Sequence, residues 1–97
     1  MSEVNIYEVM QKKAREDAKK VISGGHTVYL FCLRALIQLK RLNKDANLNY
    51  YNKGRSCYTT YVDTLKTEVD KAYNEQGLRA THDIPSWNDD RLVAHYG

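Results

Sequence analysis

This sequence lacks the marks of a membrane or exported protein. Its longest uninterrupted apolar run, Val28 to Leu33, ends at Arg34, and the wider stretch to Leu39 is broken again by Gln38. That falls far short of the ~20 residues a bilayer span needs. The opening Met1-Ser2-Glu3-Val4-Asn5 has no basic start, apolar middle or small-residue cleavage site of a secretory signal. Only two cysteines occur, Cys32 and Cys57, each in apolar surroundings and without a partner at short spacing. This usage suits reduced thiols serving as small core hydrophobes, and with the missing signal it implies a cytoplasmic protein.

Spacings for chemistry are absent too. His26, His82, His95, Cys32 and Cys57 form none of the short pairs that set two ligands around one ion, so neither a metal nor another cofactor is expected. Gly24-Gly25 precedes a helical segment but makes neither a P-loop nor a dinucleotide fingerprint. No glycine-flanked nucleophile elbow occurs. Asp89 and Asp90 would point to different helix faces near an expected helix start, where they complement the dipole. Catalytic groups meet in space rather than in sequence, yet with no local signature the chain reads as non-enzymatic.

What is present is a pattern for helices. Ninety-seven residues with 42% hydrophobic and 28% charged side chains suit one globular domain over 1–97. A chain this small buries roughly 60 to 70% of its unfolded surface, which leaves a thin core that a partner can extend. Asn5 with Glu8 reads as a capping box and Val4 with Val9 as a hydrophobic staple. Tyr7, Met10, Ala14, Ala18 and Val21 then recur at helical spacing, while Lys12–Glu16, Lys13–Asp17 and Glu16–Lys20 decorate the opposite face. Lys19 and Lys20 suit the helix end, and Gly24-Gly25 supplies the left-handed residue that stops it.

Thr27 to Asn43 is apolar nearly all round at first and amphipathic later through Leu36, Leu39 and Leu42, as for a central core helix. Its opening, Thr27 to Cys32, would also pass as a buried strand, but continuation through Leu39 exceeds strand length. From Asn47, Tyr51, Tyr58, Val62, Leu65, Val69 and Ala72 keep steps of four and three, with Arg55 in the vacant place. Gly54 costs about 1 kcal/mol inside a helix, so a later start capped by Ser56 is the alternative. Gly77 ends the segment, and Leu78 stands where a Schellman motif places its apolar contact. Ile84-Pro85 marks an extended turn, and Ser86 with Asp89 offers a cap before Trp87, Leu92, Val93 and Tyr96. The predicted fold is therefore all-α. It is a compact bundle of three main helices at about 5–23, 27–44 and 47–76, with a short C-terminal helix at 86–96 or an ordered tail.

Charge and aromatic usage carry the functional expectation. Arg34, Lys40, Arg41, Lys44, Lys53 and Arg55 are opposed in their stretch only by Asp45, whereas Asp63, Glu68, Asp70 and Glu75 outweigh Lys66 and Lys71 downstream. Such a basic middle can be a plain solvated face, can meet a partner's acidic patch, or can neutralise phosphates while tyrosines stack on bases. The formal charge of +3 is modest, and no recognised nucleic-acid motif occurs. Eight tyrosines stand against one phenylalanine. Tyrosine gives interfaces large contact area at low entropy, but Tyr58, Tyr61 and Tyr73 could equally line the core edge with hydroxyls in water. Trp87 either pins the tail or presents an anchor.

The candidate partner-binding residues are Lys40, Arg41, Lys44, Tyr50, Tyr51, Lys53, Arg55, Tyr58, Trp87 and Tyr96. With the small size and the lack of a catalytic constellation they favour a small non-catalytic protein that binds a protein partner, as an adaptor or stoichiometric modulator. A modulator or inhibitor of a host enzyme is the expectation for the class, not a reading of these residues. Phage-like viruses and mobile elements encode such proteins, some directed at enzymes that process nucleic acid. The alternatives are a nucleic-acid-binding accessory protein using the basic middle and a homo-oligomer paired through the Tyr51-to-Ala72 stripe. Far-ultraviolet circular dichroism should show a helical spectrum, and a strand-dominated one would contradict the pattern.

Overall fold

In the computed structural model the described residues are 5–45, 51–78 and 82–88, the side chains of 42–45 and 51–53 excepted. They form three helices and no strand: α1 (Ile6–Ile22), α2 (Val28–Asp45) and α3 (Tyr51–Glu75). The fold is the expected helical bundle. No helix among the described residues is long and apolar enough to cross a membrane.

Each helix end is closed by local chemistry. Extended Asn5 accepts the Tyr7 N–H at 3.0 Å, while exposed Glu8 stands in the first turn where a negative charge suits the dipole. Val4 lies outside the described residues and Val9 is 45% exposed, so the staple contributes little on the side that is seen. At the far end Ser23 and Gly24 donate back to the Lys19 and Val21 carbonyls, and Gly24 and Gly25 take φ of 96° and 87°. Only glycine enters that region without a steric penalty. Thr27 caps α2, its Oγ1 accepting the Leu30 N–H at 3.2 Å. This cap settles the strand alternative in favour of helix. Past α3, Gly77 at φ 73° donates to Asn74 and Leu78 donates to Tyr73, the bond pair of a Schellman motif. Leu78 itself remains 54% exposed, so the motif forms without a buried apolar partner.

The helix packed on both others is α3, not the expected α2, and α1 and α2 touch each other sparingly. Their short connection and the Lys13 to Gln38 side-chain bond at 3.2 Å set them antiparallel, side by side on α3. Val21, Leu33, Leu36, Val62, Leu65 and Val69 are all buried, as the periodicity predicts. The Tyr51-to-Ala72 stripe is largely consumed here, since Tyr58, Val62, Leu65 and Val69 are buried in the core and closed to a second copy. Arg55, placed in that series, is exposed; α3 runs through buried Gly54 rather than starting at Ser56.

Residues 82–88 form a strap rather than the start of a helix, extended to Ser86 and turning at Trp87 and Asn88. Ser86 Oγ does accept the Asn88 N–H at 3.3 Å, as a cap would. The remainder of the expected 86–96 helix lies outside the described residues, as does 47–50 at the expected start of the third helix. Leu65 is fully buried, so Leu65→Ala should lower unfolding free energy by roughly 2 to 5 kcal/mol in urea titrations. A loss below the lower bound would place that stripe outside the core.

Candidate functional site

Two predicted anchors turn out to be structural. Tyr58 is 5% exposed and Trp87 6%, and both belong to the core. The Tyr58 hydroxyl donates to the Pro85 carbonyl, its ring lies 5.8 Å from that of Trp87, and the Lys40 ammonium stands 4.4 Å from the indole centroid. A cation over an indole face is attracted by the ring quadrupole. Lys40 therefore helps hold the strap on the bundle, and of the two readings of Trp87 the structure displays the pin. The indole Nε1 is buried with no hydrogen-bond partner among the described residues. His82 closes the strap's other end, 2.5 Å from Asp70.

The rest of the predicted set is scattered. Arg41 and Arg55 are exposed on different helices. The side chains of Lys44, Tyr51 and Lys53, and all of Tyr50 and Tyr96, lie outside the described residues. No tyrosine platform beside a basic patch is assembled among the described residues.

A different set of residues does converge. Because α1 and α2 each sit on α3 and barely meet, a cleft of about 220 Å³ opens between them, with Lys13 and Lys20 on one wall, Arg34 and Gln38 on the other, and Asp17 and Tyr61 also lining it. Asp17 was expected on the solvent face paired with Lys13; it is 7% exposed, and its Oδ2 accepts the Tyr61 hydroxyl at 2.6 Å. Lys13 reaches across to Gln38 instead. No ion pair joins Asp17 to the three cations among the described residues. Among the described residues the carboxylate thus rests on one neutral donor, the Tyr61 hydroxyl, while Lys13, Lys20 and Arg34 line the same cleft.

No protein-family model matches this chain. Neither a curated protein nor a solved structure matches it significantly. What the cleft can do therefore rests on its own geometry.

Burial dominates the titration of this interior. It pushes the Cys32 thiol up to about 12 from an ordinary 9.0. Tyr61 is raised by burial and then by its bond to Asp17, and Tyr58 by burial and then by the neighbouring Cys32 and Tyr29. Such groups stay protonated near neutrality, so the tyrosines act as donors and Cys32 is a poor nucleophile. Both cysteines are buried thiols. Among the described residues no three His, Cys, Asp or Glu gather as a metal site would require.

Sequence reasoning missed Asp17, Tyr61, Lys13 and Lys20 as a group, although a signal was there. Met10, Ala14, Asp17 and Val21 run at steps of four, three and four, so Asp17 occupies a core place on α1. Tyr61 likewise lies between Tyr58 and Leu65 on α3. An acid and a phenol, each at a core place on its own helix, are candidates to pair.

All three raised groups are acids that hold their protons more tightly when folded, so their stabilisation is complete below the ordinary values of 9.0 and 10.0 and is lost as pH rises beyond them. The urea midpoint should fall from about pH 9 upward. Tyr61→Phe should cost about 1 to 3 kcal/mol at pH 7, because Asp17 keeps its burial without its donor, and should make the alkaline fall shallower. An unchanged alkaline slope in that variant would refute the assignment to Tyr61.

Proposed function

We propose that this protein acts by binding another protein, as a non-catalytic adaptor or stoichiometric modulator in the cytoplasm. The supporting observation is one face of α1. Ile6, Val9, Lys13, Asp17 and Lys20 follow at steps of three, four, four and three, so they share a stripe. Ile6 and Val9 are left 41% and 45% exposed, although a thin core would gain from burying them, and cations continue the stripe. Adjacent exposed apolar groups flanked by charge suit a protein interface, in which apolar contact supplies affinity and charge supplies steering. The finer reading, a modulator or inhibitor of a host enzyme that handles nucleic acid, rests on small size and the lack of catalytic motifs.

Nucleic-acid binding through Arg41, Arg55 and their basic neighbours is the second reading. It is favoured by the exposure of those two arginines and weakened by the burial of Tyr58, which removes a stacking platform.

The test uses the intact chain as bait in lysate, beside Ile6→Ser with Val9→Ser and, separately, a chain neutralised at Arg41, Lys44, Lys53 and Arg55, with Lys40 kept because it holds the strap. The expected result is a stoichiometric protein whose binding weakens about tenfold in the double variant, since truncating an interface anchor costs more than about 1 kcal/mol. The neutralised chain should lose mainly on-rate. Recovery of nucleic acid with a steep salt dependence, flattened by the neutralisation, would replace the first reading by the second.

A further inference from the structure

We infer that the α1/α2 cleft is built for an acidic segment of a protein partner: a carboxylate side chain enters between Lys13, Lys20 and Arg34 while a neighbouring N–H of the same segment donates to Asp17. The inference rests on the partner-binding reading and names the chemistry of the partner at one place.

Size favours the end of a side chain over a drug-sized ligand. Small-molecule sites typically run from about 300 to 1,000 Å³, and this cleft offers about 220 Å³. That is room for the end of a side chain and the backbone beside it. The surrounding surface continues along α1 to Ile6 and Val9, so a longer segment entering the cleft would have apolar contacts waiting.

Charge decides the rest. Lys13, Lys20 and Arg34 are exposed and line one space from two helices, and none is spent on Asp17. An anion placed there meets several cations at once. Asp17 sets a second condition, because it is a buried carboxylate whose one hydrogen bond among the described residues comes from Tyr61. A ligand that covers the cleft removes its remaining water and must return a donor, or leave a buried charge under-satisfied. An acidic peptide brings both groups, a side-chain carboxylate and backbone N–H donors. A DNA phosphodiester backbone brings an anion with only acceptors beside it, its donors being on the bases, whereas a peptide carries an N–H next to its acidic side chain. The same residue that welcomes a peptide therefore works against nucleic acid in this cleft.

The experiment measures binding of the full chain to a fluorescein-labelled octapeptide of alternating glutamate and glycine, and to an oligothymidylate of equal net charge, at low and at physiological salt. Tighter binding of the peptide is expected. Lys13→Gln, Lys20→Gln and Arg34→Gln together should weaken the peptide about tenfold, from pairs each worth about two- to fivefold. Neutralising Lys12, Arg15 and Lys19, exposed on α1 but outside the cleft, removes the same charge and should change binding by no more than about twofold. Asp17→Asn keeps an oxygen for the Tyr61 hydroxyl and should narrow the preference for peptide over oligothymidylate. Equal losses in the two triple variants would reduce the effect to net charge and overturn the inference, as would absence of peptide binding at low salt. Cleft-dependent binding that favours oligothymidylate would overturn it in favour of nucleic acid. A lysate partner lost in the Ile6 and Val9 double variant but indifferent to the cleft triple would sink this inference and leave the proposed function standing.

Discussion

A single hydrogen bond, from the Tyr61 hydroxyl to the Asp17 carboxylate, sets how the first helix lies on the third. Burying an ionised carboxylate costs several kcal/mol unless strong donors meet it, so α1 cannot roll on α3 without losing that bond or exposing Met10, Ala14 and Val21. With α1 fixed in this rotation, Lys13 and Lys20 stand beside Asp17 on the side toward α2. That contact fixes the α1 wall of the groove, with Asp17 and Tyr61 inside it.

The second constraint is the double duty of α3. It presents Tyr61, Leu65 and Val69 to a shared core and also carries Tyr58 and Asp70, which hold the strap. A helix that is gripped along several sides has little choice of position, whereas α1 and α2 meet only lightly and leave space between them. An open groove in so small a protein thus comes from the packing order, two helices laid side by side on one, and requires no cavity inside the core.

Much of this was legible in the sequence where the physics is local. Asn5, Thr27, Gly24 and Gly77 act on neighbours a few residues away, and the apolar steps through Leu36, Leu65 and Val69 name the buried faces directly. Less legible was everything decided by long-range pairing of polar groups. Asp17 looked like a solvent residue because it lies four places from Lys13, a spacing that suits an ion pair. Only the arrival of Tyr61 from 44 residues away makes a core position for it. Between core and interface the sequence left Tyr58 and Trp87 open for a related reason, since an amphipathic ring on an interface and one in a thin core have the same composition, and the structure buries both. Which helix is central depended on inter-helix contacts that periodicity does not encode.

The strap has a spectroscopic consequence. Trp87 is the sole tryptophan of the chain, and it sits among contacts that join residues far apart in sequence, with Tyr58 and Lys40 as its neighbours. The bundle itself closes through pairings of α3 with α1 and α2, such as Tyr61 with Asp17, to which the chain's one indole does not belong, so the strap and the bundle carry separate reporters. Indole emission from this protein consequently follows the seating of the strap, and tyrosine or far-ultraviolet signals follow the helices. Two optical channels in one unlabelled chain then distinguish a bundle with its tail seated from a bundle whose tail has lifted.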